Sequence, residues 1–265
     1  MKQGRVGSPL AVPPQLRLLA REHAAVIEAA LGPIRPVPGF RAPPIPALFL
    51  CFTNRCGSNY AAQLIASTGM CNEAGEFFNA ATVLEHAVPR GLTSLQDYVT
   101  LLPDLVPRRP VLAAKLGLDQ LVMLTDAGIL DDWLPRSTFL LIERQDKLGQ
   151  AISRVIAAQT GAWTSADDTG VAMPQYSAAA IASELVKIAA ANAGFYAWFA
   201  MNGIMPVHTS YEQLLQNPSV PFADLAQRVG VDMAPANPTR VTLLRQATAM
   251  NEIWRARFSE EPPNR

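Results

Sequence analysis

The sequence predicts an α/β domain of three layers, in which a mostly parallel central sheet is flanked by helices. Four short segments predict the strands, at residues 47–53, 111–117, 138–144 and 206–211. The first segment is apolar with no polar alternation, which is typical of a strand buried on both faces of a parallel sheet. Stretches with the apolar spacing of helices separate the strands. Strands that alternate with helices favour parallel connections.

Residues 1–46 form an N-terminal extension ahead of the main domain, which we place at residues 47–265. Prolines are frequent at both ends of the extension, and between them residues 15–31 have the apolar spacing of one amphipathic helix. Residues 33–46 predict an extended linker, because their prolines restrict the backbone. The helix either packs on the domain or serves as an arm that binds a partner.

The first strand leads into a small polar turn, Asn54 to Ser58, and then into a helix that Gly69 ends. Free backbone N–H groups and the helix dipole meet at such a junction and attract anions. Arg55 adds a positive charge at the same place. The sequence therefore predicts that this turn binds a phosphate or a sulfate group.

Two other uses of the turn fit its residues less well. A nucleotide-triphosphatase P-loop requires two glycines and a lysine before Ser or Thr, whereas this turn has one glycine and no lysine. Cys56 could be a phosphatase nucleophile, with a thiolate stabilised by the helix terminus. That chemistry requires an arginine at position 62, which is Ala62.

Polar residues also follow the later strands. Lys115 lies near the end of the second predicted strand, and Arg144 is the last residue of the third. This is the sheet edge at which open α/β sheets bind ligands. Ser153 lies two turns along the next helix. A long loop at 159–174 follows, and loops of that length are often functional.

Composition narrows the classes of protein. The formal net charge is zero, so no nucleic-acid partner is expected. The chain has no uncharged apolar stretch of about 18 residues, so we predict no transmembrane helix. Prolines follow the basic N-terminus, unlike in a signal peptide. Three cysteines without metal-ligand spacing favour a reducing compartment, and we expect a cytoplasmic location.

These residues belong to motifs that occur in a fixed order along the chain. The motifs are Arg-x-Gly-Ser from Arg55, a glutamate before paired phenylalanines at Glu76, Arg-x-Asp from Arg144, Gln-Ala-x-Ser from Gln150 and Gln-Thr-x-x-Trp from Gln159. Together they resemble the bacterial trehalose 2-sulfotransferase family, whose relatives include lipopolysaccharide and other glycan sulfotransferases. The resemblance covers roughly residues 47–260.

The resemblance implies a P-loop-like fold and a co-substrate, 3′-phosphoadenosine 5′-phosphosulfate (PAPS). It implies transfer of the sulfuryl group to a hydroxyl of a carbohydrate or glycolipid, with Glu76 as general base and Arg55 stabilising the leaving group. The residues expected to bind the 5′-phosphosulfate are Arg55, Cys56, Gly57, Ser58 and Asn59. Relatives commonly have Ser or Thr at the positions of Cys56 and Asn59.

The remaining expectations concern the 3′-phosphate and the acceptor. Arg144 and Ser153 are expected to hold the 3′-phosphate, and Arg245 either contacts it or pairs with an acidic residue. Glu73 is expected to contact the sugar. The residues with open alternatives are Lys115, which reaches a substrate or the solvent, and Trp163, which stacks on a ligand or anchors its loop.

Some expectations concern partners and rival functions. No metal is expected, because a sulfuryl group carries less charge than a phosphoryl group. The resemblance also implies a homodimer, and peripheral access to a lipid acceptor at a membrane. The rivals are a non-catalytic nucleotide-binding scaffold on the same fold and a nucleotide kinase.

Overall fold

The computed structural model describes residues 9–19, 22–163, 173–242 and 249–261. Within these ranges, four strands form a single parallel sheet in the order β2-β1-β3-β4. The strands are β1 (Ala47–Phe52), β2 (Leu112–Leu116), β3 (Ser137–Glu143) and β4 (Val207–Ser210). The predicted α/β architecture with a parallel central sheet is confirmed.

Helices connect and cover the strands. They are α1 (Pro14–Leu19), α2 (Glu22–Leu31), α3 (Ser58–Ala66), α4 (Ala80–Ala87), α5 (Leu95–Leu105), α6 (Leu118–Asp126), α7 (Ile129–Trp133), α8 (Lys147–Thr160), α9 (Ala178–Met201), α10 (Tyr211–Gln216), α11 (Ser219–Val229) and α12 (Ala249–Glu260). Where the sequence predicted one helix over residues 15–31, the structure has α1 and α2, with residues 20–21 outside the described ranges.

The sheet has an apolar layer on each side, because side chains alternate along β1. Phe49 and Cys51 face one cluster, to which α2, α4, α5, α6, α7 and α9 contribute. Leu48 and Leu50 face the other, to which α3, α10 and α11 contribute. All six residues of β1 are buried, so this strand is the centre of a three-layer core.

The described part of the N-terminal extension contributes to this core. Ile27 and Leu31 of α2 are buried in the same cluster as Phe49. Ahead of them, Val12 and Leu16 join that cluster as well. Helix α2 therefore packs on the body of the domain.

Helix α9 has the length and apolar composition to cross a membrane. Ile188, Phe195 and Trp198 on one of its faces are buried in the apolar clusters of the domain. Core helices of globular domains have the same length and composition, and 28% of the apolar window of α9 is buried. Helix α9 packs against α8.

The topology brings the expected site residues to one edge of the sheet. Because all strands are parallel, their carboxyl ends meet there, and each continues into a helix: β1 into α3, β2 into α6, β3 into α8 and β4 into α10. The segment 71–75 runs beside β2 through parallel bridges at Cys71 and Gly75. This pairing carries the next residue, Glu76, to the same edge.

Candidate active site

A cleft of about 1370 Å³ opens at the carboxyl edge of the sheet. This volume is large enough for a nucleotide and a second ligand together. It is lined by most of the residues expected from the sequence, namely Arg55, Gly57, Ser58, Asn59, Glu76, Arg144, Ser153 and Trp163. The structure thus brings into one cavity residues that are about a hundred positions apart in the chain.

The turn between β1 and α3 has a tight backbone that depends on glycine. Arg55 and Gly57 both have left-handed φ angles, 67° and 92°. A β-carbon at Gly57 would also overlap the ring of Tyr211, with the Cγ atom at 2.9 Å. Position 57 therefore requires glycine for its backbone angle and for the close approach of Tyr211. Helix α3 begins at the next residue, Ser58, and its N-terminus lies at the cleft.

Cys56 points away from the cleft. Its side chain is fully buried in the apolar cluster beneath the turn. Burial raises the pKa of the thiol to about 11, so the sulfur is protonated near neutral pH. Its backbone N–H donates to Thr53 O at 3.2 Å, closing the turn. The side chain packs as a small apolar group, and a thiolate nucleophile does not fit this environment.

Arg55 links the turn to helix α8. Its Nε donates a hydrogen bond to Ser153 Oγ at 2.8 Å. One of its terminal nitrogens donates to the carbonyl of Trp163 at 2.6 Å. The indole of Trp163 is 43% exposed and lines the cleft. Arg55 is expected at the 5′-phosphosulfate and Ser153 at the 3′-phosphate. Residues expected to bind the two ends of the nucleotide are therefore in direct contact.

Arg144 lies at the start of the segment that leads into α8. Its Nε is buried and has no hydrogen-bond acceptor in the described part of the chain. A terminal nitrogen lies 3.3 Å from Asp146 Oδ2. Because an arginine fork binds phosphate through several N–H groups, this side chain retains donors for an anion in the cleft.

Asp146 organises the surroundings of Arg144. Its carboxylate accepts from the backbone N–H of Gly149 at 2.9 Å and so caps α8. It also accepts from Arg255 of α12 at 2.5 Å. Burial acts to raise the pKa of Asp146, but the bonds from Arg255 and Gly149 outweigh it and the pKa is lowered overall. Arg255 was missed by the sequence reasoning.

Gln150 stabilises the turn through two hydrogen bonds. It is fully buried, and its Nε2 donates to Thr53 Oγ1 at 2.8 Å and to Asn54 O at 2.9 Å. Its Oε1 is buried without a hydrogen-bond partner among the described residues. The motif Gln-Ala-x-Ser contains this residue, but the family resemblance implies a role only for Ser153.

Glu76 is paired with Lys115 at the other side of the turn. Lys115 Nζ donates to Glu76 Oε1 at 3.0 Å and also to Asn59 Oδ1. The ammonium lies 5.5 Å from the centre of the Phe52 ring. Lys115 is buried, so it supports Glu76 from beneath the cleft surface. The side chain of Asn59 is oriented by this lysine.

One expected site residue lies away from the cleft. Glu73 is exposed and is not among the residues that line the cleft. Glu76, three positions later, does line the cleft. Arg245 lies outside the described residues.

The comparison with protein families assigns the chain to one family. A model described as Stf0 sulphotransferase matches residues 108–261, more than half of the chain. The chain belongs to the Stf0 sulphotransferase family. The family resemblance drawn from the sequence motifs is thereby confirmed.

Two curated relatives agree with this assignment. The chain is 32% identical over 128 residues to trehalose 2-sulfotransferase of Mycobacterium tuberculosis, which is 47% of this chain and 46% of the relative. It is 29% identical over 121 residues to trehalose 2-sulfotransferase of Mycolicibacterium smegmatis, 45% of each chain. The chain thus spans about half the length of the curated relatives it matches. A solved sulfotransferase domain from the curacin biosynthetic pathway is 12% identical, with 84% of this chain and 100% of that domain covered and a TM-score of 0.43.

The Stf0 match covers only some of the site residues. It contains Lys115, Arg144 and Ser153 together with helix α12. The turn at 54–59 and Glu76 precede it. Their assignment rests on the motifs and on their position in the cleft.

Proposed function

We propose that this Stf0 protein transfers the sulfuryl group of PAPS to a hydroxyl of a carbohydrate acceptor. The observation that carries the proposal is the pairing of two anion-binding positions in one cleft. One is the helix N-terminus and Arg55 at the β1–α3 turn, and the other is Arg144 with its buried Nε. PAPS has an anionic group at each end of its ribose, so it can use both positions.

The contact between Arg55 and Ser153 supports a nucleotide rather than a lone anion. It fixes the turn and helix α8 relative to each other. The turn, Ser153 and Arg144 line the same cleft, so one nucleotide can contact all three. The Trp163 indole at the same rim offers a flat surface for an aromatic base or a sugar.

The transfer step we propose is a direct in-line displacement. Glu76 accepts the proton of the acceptor hydroxyl as its oxygen forms a bond to sulfur. The bond between sulfur and the bridging oxygen breaks, and that oxygen leaves on 3′-phosphoadenosine 5′-phosphate. Arg55 and the backbone N–H groups of the turn stabilise the charge that grows on it.

The acceptor we propose is a sugar hydroxyl, because the curated relatives carry the name trehalose 2-sulfotransferase. The proposal covers a free sugar, a glycolipid and lipopolysaccharide alike. The homodimer, the access to a membrane lipid and the cytoplasmic location expected from the sequence stay predictions.

A labelled-donor assay tests the proposed function. The full chain is incubated with ³⁵S-labelled PAPS and a panel of mono- and disaccharides, and labelled product is separated by chromatography. We expect transfer to at least one sugar. In parallel, 3′-phosphoadenosine 5′-phosphate should raise the melting temperature and ATP with magnesium should not. A melting temperature that rises with ATP and magnesium, but not with 3′-phosphoadenosine 5′-phosphate, would contradict the proposed co-substrate.

A further inference from the structure

One end of the cleft is built by the N-terminal helix α2, which lies outside the segment matched by the family model. Glu22 and His23, the first residues of α2, line the cleft. Helix α2 is held there by packing against α4 and α6, and its Ile27 and Leu31 are buried. The extension ahead of the sheet therefore supplies part of the cleft wall.

His23 is oriented through both of its ring nitrogens. The backbone N–H of Ala80 donates to Nδ1 at 3.3 Å. Nε2 lies 3.5 Å from Asp119 Oδ2. Because Nδ1 accepts a hydrogen bond, the neutral imidazole carries its proton on Nε2, on the side of Asp119. At 3.5 Å from Asp119 Oδ2, this N–H can still donate to a ligand. The two side chains are 23% and 24% exposed, so a ligand in the cleft can reach both.

Asp119 is a carboxylate that has lost part of its water. It lies in the first turn of α6, and its Oδ1 is folded over Gly117, where a β-carbon would lie 2.8 Å away. Burial raises the pKa of Asp119, although His23 and backbone N–H groups at the start of α6 act against this. A partly desolvated carboxylate gains free energy from a ligand that donates a hydrogen bond or a positive charge to it.

The charges along the cleft are unevenly distributed. Arg55 and Arg144 lie on the side of helix α8, where the nucleotide is proposed to bind. Glu22, Glu76 and Asp119 are carboxylates that line the other side. Lys115 already pairs with Glu76. Two further cations line the cleft, Arg154 of α8 and Lys187 of α9, and both already pair with Glu184. A second anionic ligand on this side would therefore meet like charges.

We propose that His23 and Asp119 bind the acceptor, and that they select an uncharged or positively charged polyhydroxyl compound over an anionic one. Asp119 accepts a hydrogen bond from a hydroxyl or ammonium group of the acceptor, and His23 Nε2–H donates to a hydroxyl oxygen. The inference rests on the proposed function, since it takes Glu76 in the same cleft as the group that faces the reacting hydroxyl.

Equilibrium binding of matched disaccharides tests the inference without relying on turnover. Calorimetry is carried out on the full chain saturated with 3′-phosphoadenosine 5′-phosphate. The three ligands are a neutral disaccharide, its 2-amino derivative and its uronic-acid derivative. We expect the neutral and amino forms to bind at least about tenfold more tightly than the uronic acid, because like charges across a binding site oppose association.

Asp119→Asn is the informative variant, and Asp126→Asn is its matched control. Asp126 ends the same helix and pairs with Arg17, away from the cleft. In Asp119→Asn the preference should fall to about threefold or less, since the carboxylate proposed to contact the ligand is gone and only those of Glu22 and Glu76 remain. In Asp126→Asn it should equal that of the wild type. His23→Gln should weaken the neutral disaccharide, and thermal melting checks that each variant is folded.

The outcomes separate this inference from the proposed function. Equal binding of all three ligands, no binding of any of them, or an unchanged preference in Asp119→Asn would overturn the inference. Charge-selective binding without transfer of labelled sulfate would count against the proposed function and leave the acceptor assignment standing. Transfer that is indifferent to acceptor charge would reject the acceptor assignment alone.

Discussion

Lys115 joins Glu76 to the anion-binding turn. Its ammonium lies 3.0 Å from Glu76 Oε1 and also contacts Asn59 in the first turn of α3. The lysine side chain is 7% exposed and the glutamate 40%, so the cation lies beneath the carboxylate. The backbone N–H of Lys115 donates to Gly75 O at 2.8 Å. A single residue of β2 thus holds the proposed base through its backbone and its side chain.

Lys115→Met should therefore lower turnover more than nucleotide binding. Without the ammonium, Glu76 is free to turn away from the acceptor, and a misplaced base can lower the rate by roughly a hundredfold. We expect kcat to fall by about ten- to a hundredfold, with affinity for 3′-phosphoadenosine 5′-phosphate close to that of the wild type. Lys147→Met is the matched control, since Lys147 pairs with Glu143. An unchanged kcat in Lys115→Met would reject the positioning role.

Glu76→Gln tests the base directly. The amide keeps the shape of the side chain but cannot accept the proton, and we expect kcat to fall by at least about a hundredfold. Binding of 3′-phosphoadenosine 5′-phosphate should remain, as measured by calorimetry. Glu73→Gln is the matched control, because Glu73 is exposed and outside the cleft lining. A raised KM in Glu73→Gln would instead support the acceptor contact expected from the sequence.

The fold could be predicted because its signals are local. The uninterrupted apolar run of β1, the polar turn after it and the helix that begins at Ser58 are all readable in consecutive residues. Arg144 after β3 followed from the same rule on strand ends. Each of these residues lines the cleft or supports it.

The rest of the site depends on contacts between distant segments, which one sequence does not specify. The partners Arg255 and Asp146 are 109 positions apart. His23 looked like one of three scattered histidines, and only the packing of α2 brings it to Asp119. The direction of the Cys56 side chain is likewise set by the tight turn, so the residue that looked most reactive is buried.

Arg144→Gln should weaken the bisphosphate nucleotide selectively. If the Arg144 guanidinium binds the 3′-phosphate, affinity for 3′-phosphoadenosine 5′-phosphate should fall by about ten- to a hundredfold, as for loss of a charged hydrogen-bonded pair. Affinity for adenosine 5′-phosphate should change little. Arg136→Gln is a matched control, since Arg136 also has a buried unpartnered Nε but pairs with Asp132 outside the cleft. Equal losses for both nucleotides would contradict the assignment.

Gly57→Ala should destabilise the turn more than an alanine at another left-handed glycine. At Gly69 the φ angle is 78° and a β-carbon would meet nothing within 4 Å, so only backbone strain of about 1–2 kcal/mol is expected. At Gly57 the same strain adds to the overlap with Tyr211. We expect a larger loss in the free energy of unfolding by urea titration, and loss of nucleotide binding. If Gly57→Ala and Gly69→Ala lower the free energy of unfolding equally, the ring of Tyr211 moves aside and relieves the overlap.

Asp146 should make the stability of the protein depend on acidic pH. Burial opposes ionisation, but Arg255, Gly149 N–H and Arg144 together lower its pKa below the ordinary value. Because the folded pKa is the lower one, the stabilisation is complete above the unfolded pKa of about 4 and is lost as the pH falls through the folded value. Asp146→Asn keeps a capping oxygen and removes the charge. The difference in unfolding free energy between wild type and Asp146→Asn, measured by urea titration from neutral to acidic pH, should therefore shrink below about pH 4. If the difference stays constant over this range, Asp146 stabilises the protein through its capping hydrogen bond to Gly149. Its charge, shared with Arg144 and Arg255, would then not be the source of the stabilisation.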